Sequence, residues 1–218
     1  MVALSFYLIQ ILAMVFGGAD PTTMEDYVWL LQRSRILGLL YLNALDIFSI
    51  AFLGTMFLAL CANLRQISRS YIAVAAFFAF LGIATFVVPR VAMLSLVPLS
   101  ARYAAATTET QRTVLLAAME TLGSLGVATN RTIGFLFLTI ASLITSGVML
   151  RSTSFGKVTA YVGIVASVLT LAVDVCVVIL PSTAETLGFV DALFWLVWWL
   201  LVSRGLLRLA RTTSGARV

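Results

Sequence analysis

The feature that most constrains this chain is the run from Tyr71 to Ser100, thirty residues of apolar character with a Pro89-Arg90 pair set inside it. About 20 apolar residues in a helix cross the hydrocarbon core of a bilayer, so a run of this length belongs in lipid. A spanning segment that is not part of a closed barrel must be helical, because lipid offers nothing to unmet backbone N–H and C=O groups. An ionised side chain there is costly unless it meets a partner or water. Two other apolar runs carry interior acids, Asp46 and Asp174. The three charges are therefore expected to be partners.

Composition carries the same message through the whole chain. Apolar residues make up 61% of the 218 positions and charged residues 11%, with a mean hydropathy of +1.08. Soluble domains hold about 25% charged residues. The net charge of +5 then speaks to membrane orientation rather than to nucleic acid. There is no histidine and there are two cysteines, which excludes a His-based metal site, a His general base and a Cys cluster. No metal or cofactor is expected.

Six spans follow, at about 2–18, 35–62, 70–98, 132–150, 158–180 and 188–209. The fold class is an all-α integral membrane bundle, a single domain over 1–218, with amphipathic surface helices in the outer loops. The first run reads as an uncleaved helix. A signal peptide cut before Asp20 stands against it, but the run has no basic leading region. The connector from Asp20 to Ser34 contains Thr22-Thr23-Met24-Glu25, a capping-box pattern, followed by Met24, Tyr27, Val28 and Leu31 at helical spacing. This predicts a short helix lying along the membrane surface. A second such helix is expected after Thr108-Glu109-Thr110-Gln111, with an apolar stripe of Val114, Leu115, Ala118, Met119, Leu122 and Leu125, and Gly123 and Gly126 as stop signals. Pro181 to Leu187 reads as an acidic turn. Cys61 and Cys176 are expected near opposite membrane faces, too far apart to bridge.

The loops set the orientation. Alternate connections hold Arg65 and Arg69, then Arg151 and Lys157, then Arg204, Arg208, Arg211 and Arg217, with no acid among them. The other side holds Asp20, Glu25, Asp26, Glu109, Glu120, Glu185 and Asp191, diluted by Arg33, Arg35, Arg102, Arg112 and Arg131. The positive-inside rule puts both termini in the cytoplasm of a cell-membrane protein.

Two stretches carry a family resemblance. The first is Met93-Leu94-Ser95 with Arg102-Tyr103-Ala104-Ala105-Ala106-Thr107 and Thr110-Gln111-Arg112. The second runs through Val148-Met149-Leu150-Arg151-Ser152 and Phe155-Gly156-Lys157-Val158-Thr159-Ala160-Tyr161 to Ala166. Together they resemble a bacterial membrane family catalogued as domain of unknown function 4386, over most of the chain from about Arg33 onward. The resemblance implies a polytopic helical membrane protein and implies no activity.

Depth counting groups the charges. Asp46 lies about 16 Å below Arg35, Asp174 about 10 Å from Pro181 and Arg90 about 12 Å from Pro98, all in the outer half. Asn43 sits one turn from Asp46 on the same helix face. An outward-facing polar pocket between spans two, three and five is one reading, with Arg90 gripping one or both acids through its planar fork. A structural ion pair that binds nothing is the other, and Arg90 also lies within snorkelling reach of the interface. The second amphipathic helix reads as an interfacial float rather than a lid. Trp195, Trp198 and Trp199 read as packing rather than a ligand cage. The pairs Ala75/Ala79 and Ser142/Ser146 have small residues at spacing four, which permits close helix approach and weakly suggests dimerisation.

Enzyme motifs are missing from the sequence: no GxSxG, P-loop, metal-ligand spacing or dinucleotide fingerprint. An aspartyl intramembrane enzyme would need two converging acids, and Arg90 beside them would hold both ionised. The expected function is a non-enzymatic multi-pass membrane protein that binds a small ligand, lipid or partner in the outer pocket. A small-solute transporter and an accessory subunit of another membrane complex are the alternatives. The expected partners are the lipid bilayer, a lipid or small-molecule ligand, and a second copy or another membrane protein; nucleic acid is not among them.

Overall fold

A computed structural model describes residues 23–42, 44–128 and 133–215. The predicted span at 2–18 and Asn43 lie outside the described residues. Among the described residues all regular structure is helical: α1 Met24–Arg33, α2 Arg35–Tyr41, α3 Asp46–Leu64, α4 Arg69–Met93, α5 Leu96–Ala105, α6 Glu109–Ala128, α7 Phe135–Met149, α8 Lys157–Ile179 and α9 Pro181–Gly215. Among the described residues four segments are long and apolar enough to cross a membrane: Asp46–Leu64, Arg69–Ala105, Lys157–Val177 and Thr186–Arg211. Phe135–Met149 is a shorter apolar helix. The outward faces agree, since Phe80 and Phe189 are each 69% exposed. Large exposed apolar side chains on long helices face lipid, and the protein is membrane-embedded.

The chain forms two compact units, one from Leu53–Ile83 with Thr132–Val218 and the other from Val2–Phe52 with Ala84–Arg131. Helices α3 and α4 each contribute one part to each unit.

In the first unit, α7, α8 and α9 follow one another through short connections and pack as neighbours. The connection from α8 to α9 is Leu180 alone, where an acidic turn over Pro181–Leu187 was expected. Pro181 opens α9 instead, because the first helical position needs no N–H and the proline ring already holds a helical φ. The core joins Phe57, Leu60 and Leu64 of α3 with Ile72 and Ala79 of α4, Met149 of α7 and Trp198 and Val202 of α9. The small residues work inside this unit. Ala75, Ala79, Ser142 and Ser146 are buried, and Gly82 continues the α4 stripe, where a Cβ would meet Leu138 Cγ at 2.7 Å and the Gly134 carbonyl at 3.0 Å. Gly82 thus lets α7 approach α4 closely.

The second unit gathers α1, α5 and α6 around Val28, Leu31, Leu42, Leu96 and Met119. The cap of α1 sits one residue later than the sequence suggests. Thr23 is the N-cap, its hydroxyl accepting from the Asp26 N–H at 3.2 Å while Asp26 accepts from the Thr23 N–H at 2.9 Å. Asp26 closes the box in place of Glu25. The apolar stripe of α1 faces this unit's core, with Val28 and Leu31 each 3% exposed. The Thr108 hydroxyl accepts from the Gln111 N–H at 3.3 Å at the start of α6. That helix runs through Gly123 and Gly126 to Ala128, so neither glycine stops it. Gly123 is instead a contact position, where a Cβ would lie 2.9 Å from Met24 Cε of α1. On α6 the buried side centres on Met119, and Val114 and Leu125 of the expected stripe are exposed.

Candidate functional site

The second predicted span does not run as one helix from Arg35. It breaks after α2, at Leu42–Leu45, and α3 starts at Asp46. Asp46 is therefore a first-turn residue rather than a mid-span acid. Arg90 sits in the last turn of α4, which continues through Pro89 to Met93. Each charge complements the end of its own helix: a carboxylate meets the partial positive charge of an N-terminus, and a guanidinium the partial negative charge of a C-terminus.

The two charges also meet each other. Arg90 Nη2 lies 3.1 Å from Asp46 Oδ2, with side-chain exposures of 16% and 9%. Arg90 Nη1 donates to Met93 Sδ at 3.9 Å. One turn along α3 from Asp46, on the same face, the Ser49 hydroxyl is buried without a hydrogen-bond partner among the described residues. The second unit thus holds a near-buried ion pair beside a serine whose hydrogen-bonding capacity is unused. Ser49 was missed in the sequence because a lone serine in an apolar run carries no signal by itself.

Asp174 belongs to the first unit, on α8. Its electrostatic neighbour there is Asp191 of α9. Asp191, expected near the outer end of the sixth span, lies inside α9, where Thr170 Oγ1 donates to its Oδ1 at 2.9 Å and Trp195 Nε1 donates to Thr170 Oγ1 at 2.8 Å. Thr170 also reaches the Ala166 carbonyl at 3.1 Å.

This network is one end of a polar seam through α7, α8 and α9. Gly163, Ser167 and Thr170 lie on one face of α8, Asp191, Trp195 and Trp198 on one face of α9, and Thr139, Ser142 and Ser146 on one face of α7. Ser167 and Thr145 return their protons to carbonyls in their own helices, at 2.8 Å to Gly163 and 3.0 Å to Ala141. Thr139, Ser142, Ser146 and Trp198 Nε1 are buried without hydrogen-bond partners among the described residues. Ser146 and Trp198 press on the Cα of Gly163, where a side chain would collide with both. The tryptophans are packing residues, as expected: Trp195 and Trp198 meet edge to face at 5.4 Å and Phe57 lies 6.0 Å from Trp198.

Cys61 and Cys176 are free thiols. Among the described residues no three His, Cys, Asp or Glu side chains gather where a metal ion would bind.

The sequence model of a family described as "Domain of unknown function (DUF4386)" matches residues 4–203, and the chain belongs to that family. No curated protein and no solved structure matches it.

Proposed function

We propose that this family member is a non-enzymatic multi-pass membrane protein that binds a small ligand bearing an acidic group at Arg90. The Arg90–Asp46 ion pair beside the unpartnered Ser49 hydroxyl carries the reading. A buried ion pair adds little net stability over apolar residues of the same volume, because desolvation consumes most of the attraction. A charged pair placed in a membrane segment supports a functional role. An incoming carboxylate or phosphate competes with Asp46 for the planar fork of Arg90 and accepts from Ser49. The reading includes the cytoplasmic placement of both termini, which rests on the loop charges.

The test compares the wild-type chain with the Asp46→Asn/Arg90→Gln variant, which removes both charges and leaves no buried ion unmatched. Both are purified from native membrane, and the small molecules released on denaturation are identified by mass spectrometry. An acidic species abundant in wild type and depleted in the variant supports the reading. Identical profiles sink it.

The small-solute transporter is the second reading, favoured by the hydroxyls of Thr139, Ser142 and Ser146 that lack partners inside the first unit. Buried polar groups are nearly always bonded, to water where nothing else serves. A line of such groups is what a polar solute would follow. Uptake into proteoliposomes that Ser142→Ala/Ser146→Ala abolishes would decide for it over the binding protein.

A further inference from the structure

The turn between α3 and α4 carries a site that the Arg90 reading does not use. Both helices are membrane-crossing, so the turn that joins them, from Arg65 to Ser68, lies at a membrane face. A cleft of about 750 Å³ opens there, in the size range of ligand pockets. Its mouth is made by Arg65, Gln66 and Arg69, all exposed, and its wall by Leu58, Ile72 and Ala73. Among the described residues neither arginine has a carboxylate partner. The helix ends offset one another, since α3 brings its carbonyl end and α4 its N–H end to the same turn. The two guanidiniums therefore set the sign of the mouth. Ala76, also in the lining, is seven residues from Arg69, so the cleft descends roughly 10 Å below the headgroup level.

We propose that this cleft binds an anionic phospholipid, its phosphate held by Arg65 and Arg69 with the Gln66 amide donating, and one acyl chain lying along Leu58, Ile72 and Ala73. Charge complementarity selects the lipid class: two unpaired arginines at a membrane face attract an anionic headgroup, and paired arginine forks match phosphate oxygens. The apolar wall selects a lipid over a free anion, because inorganic phosphate would leave the wall empty.

Native mass spectrometry of the full chain in detergent tests this, titrating phosphatidylglycerol, phosphatidylcholine of the same chains, and inorganic phosphate. The proposal requires phosphatidylglycerol to bind in preference to phosphatidylcholine, with about fivefold weaker binding for each arginine removed in Arg65→Gln and Arg69→Gln. Ala73→Trp must also weaken it, with both charges kept, because the ring fills the wall. All three positions are exposed, so circular dichroism should be unchanged. Equal binding of the two lipids, full binding by the double-Gln variant, or inorganic phosphate binding as tightly as phosphatidylglycerol would each overturn it.

Discussion

The two units handle buried polarity differently. The second unit sets an ion pair at helix ends, Arg90 with Asp46, where each charge meets both its partner and its helix dipole, with the buried Ser49 hydroxyl one turn along α3. The first spreads it over three helices as neutral hydroxyls and indoles, several of them without partners. The difference is one of cost: an unmatched ion in low dielectric is far more expensive than an unmatched hydroxyl. Charges must therefore be paired, while hydroxyls can wait for water or a solute. A paired charge is a place where something can be exchanged. An unmet hydroxyl is a place where something can be added.

Substitutions can break that comparison. Asp46→Ala takes the carboxylate from Arg90 and should cost about 3 kcal/mol of stability, measured by unfolding in mixed micelles. If it costs under about 1 kcal/mol, the pair is solvated and the second unit does not differ from the first. Gly163→Ala should cost about 2 kcal/mol, because its Cβ enters space held by Ser146 and Trp198 in a packed seam. A neutral result there would mean that α7 and α9 yield easily. Ser146→Ala should change stability by less than about 0.5 kcal/mol, or raise it, since it removes a hydroxyl with no partner. A large loss would show that the hydroxyl is bonded, to water or a ligand, and would favour the transporter.

Much of the architecture was legible in the sequence, because membrane spans announce themselves by length and apolarity. The runs at 158–180 and 188–209 correspond closely to α8 and the apolar part of α9. The pairing of Arg90 with Asp46 was legible too, since a charge in lipid demands a partner. Its setting was not. Depth counting assumed an unbroken helix from Arg35, and the break at Leu42–Leu45 moved Asp46 from mid-span to a helix start. The stretch holds neither Gly nor Pro between Leu39 and Ser49, and its turn-favouring residue types, Asn43 and Asp46, read as pocket groups rather than as a break. The seam stayed hidden for a different reason. Serine and threonine are ordinary in membrane helices, and only the packing of α7 against α8 and α9 brings spacings of three, four and seven residues onto facing surfaces. What the sequence misplaced was the helix start: the acidic stretch before Gly188 suggested a turn, whereas Pro181 opens α9.

The pairing itself is tested most directly by a double-mutant cycle on unfolding free energy, with Asp46→Ala, Arg90→Ala and both together. If the two charges act as one unit, the double variant should be no less stable than either single, giving a coupling energy of about 2 kcal/mol or more. Costs that add to within about 0.5 kcal/mol would mean that the charges act independently, and the site built on them would fall.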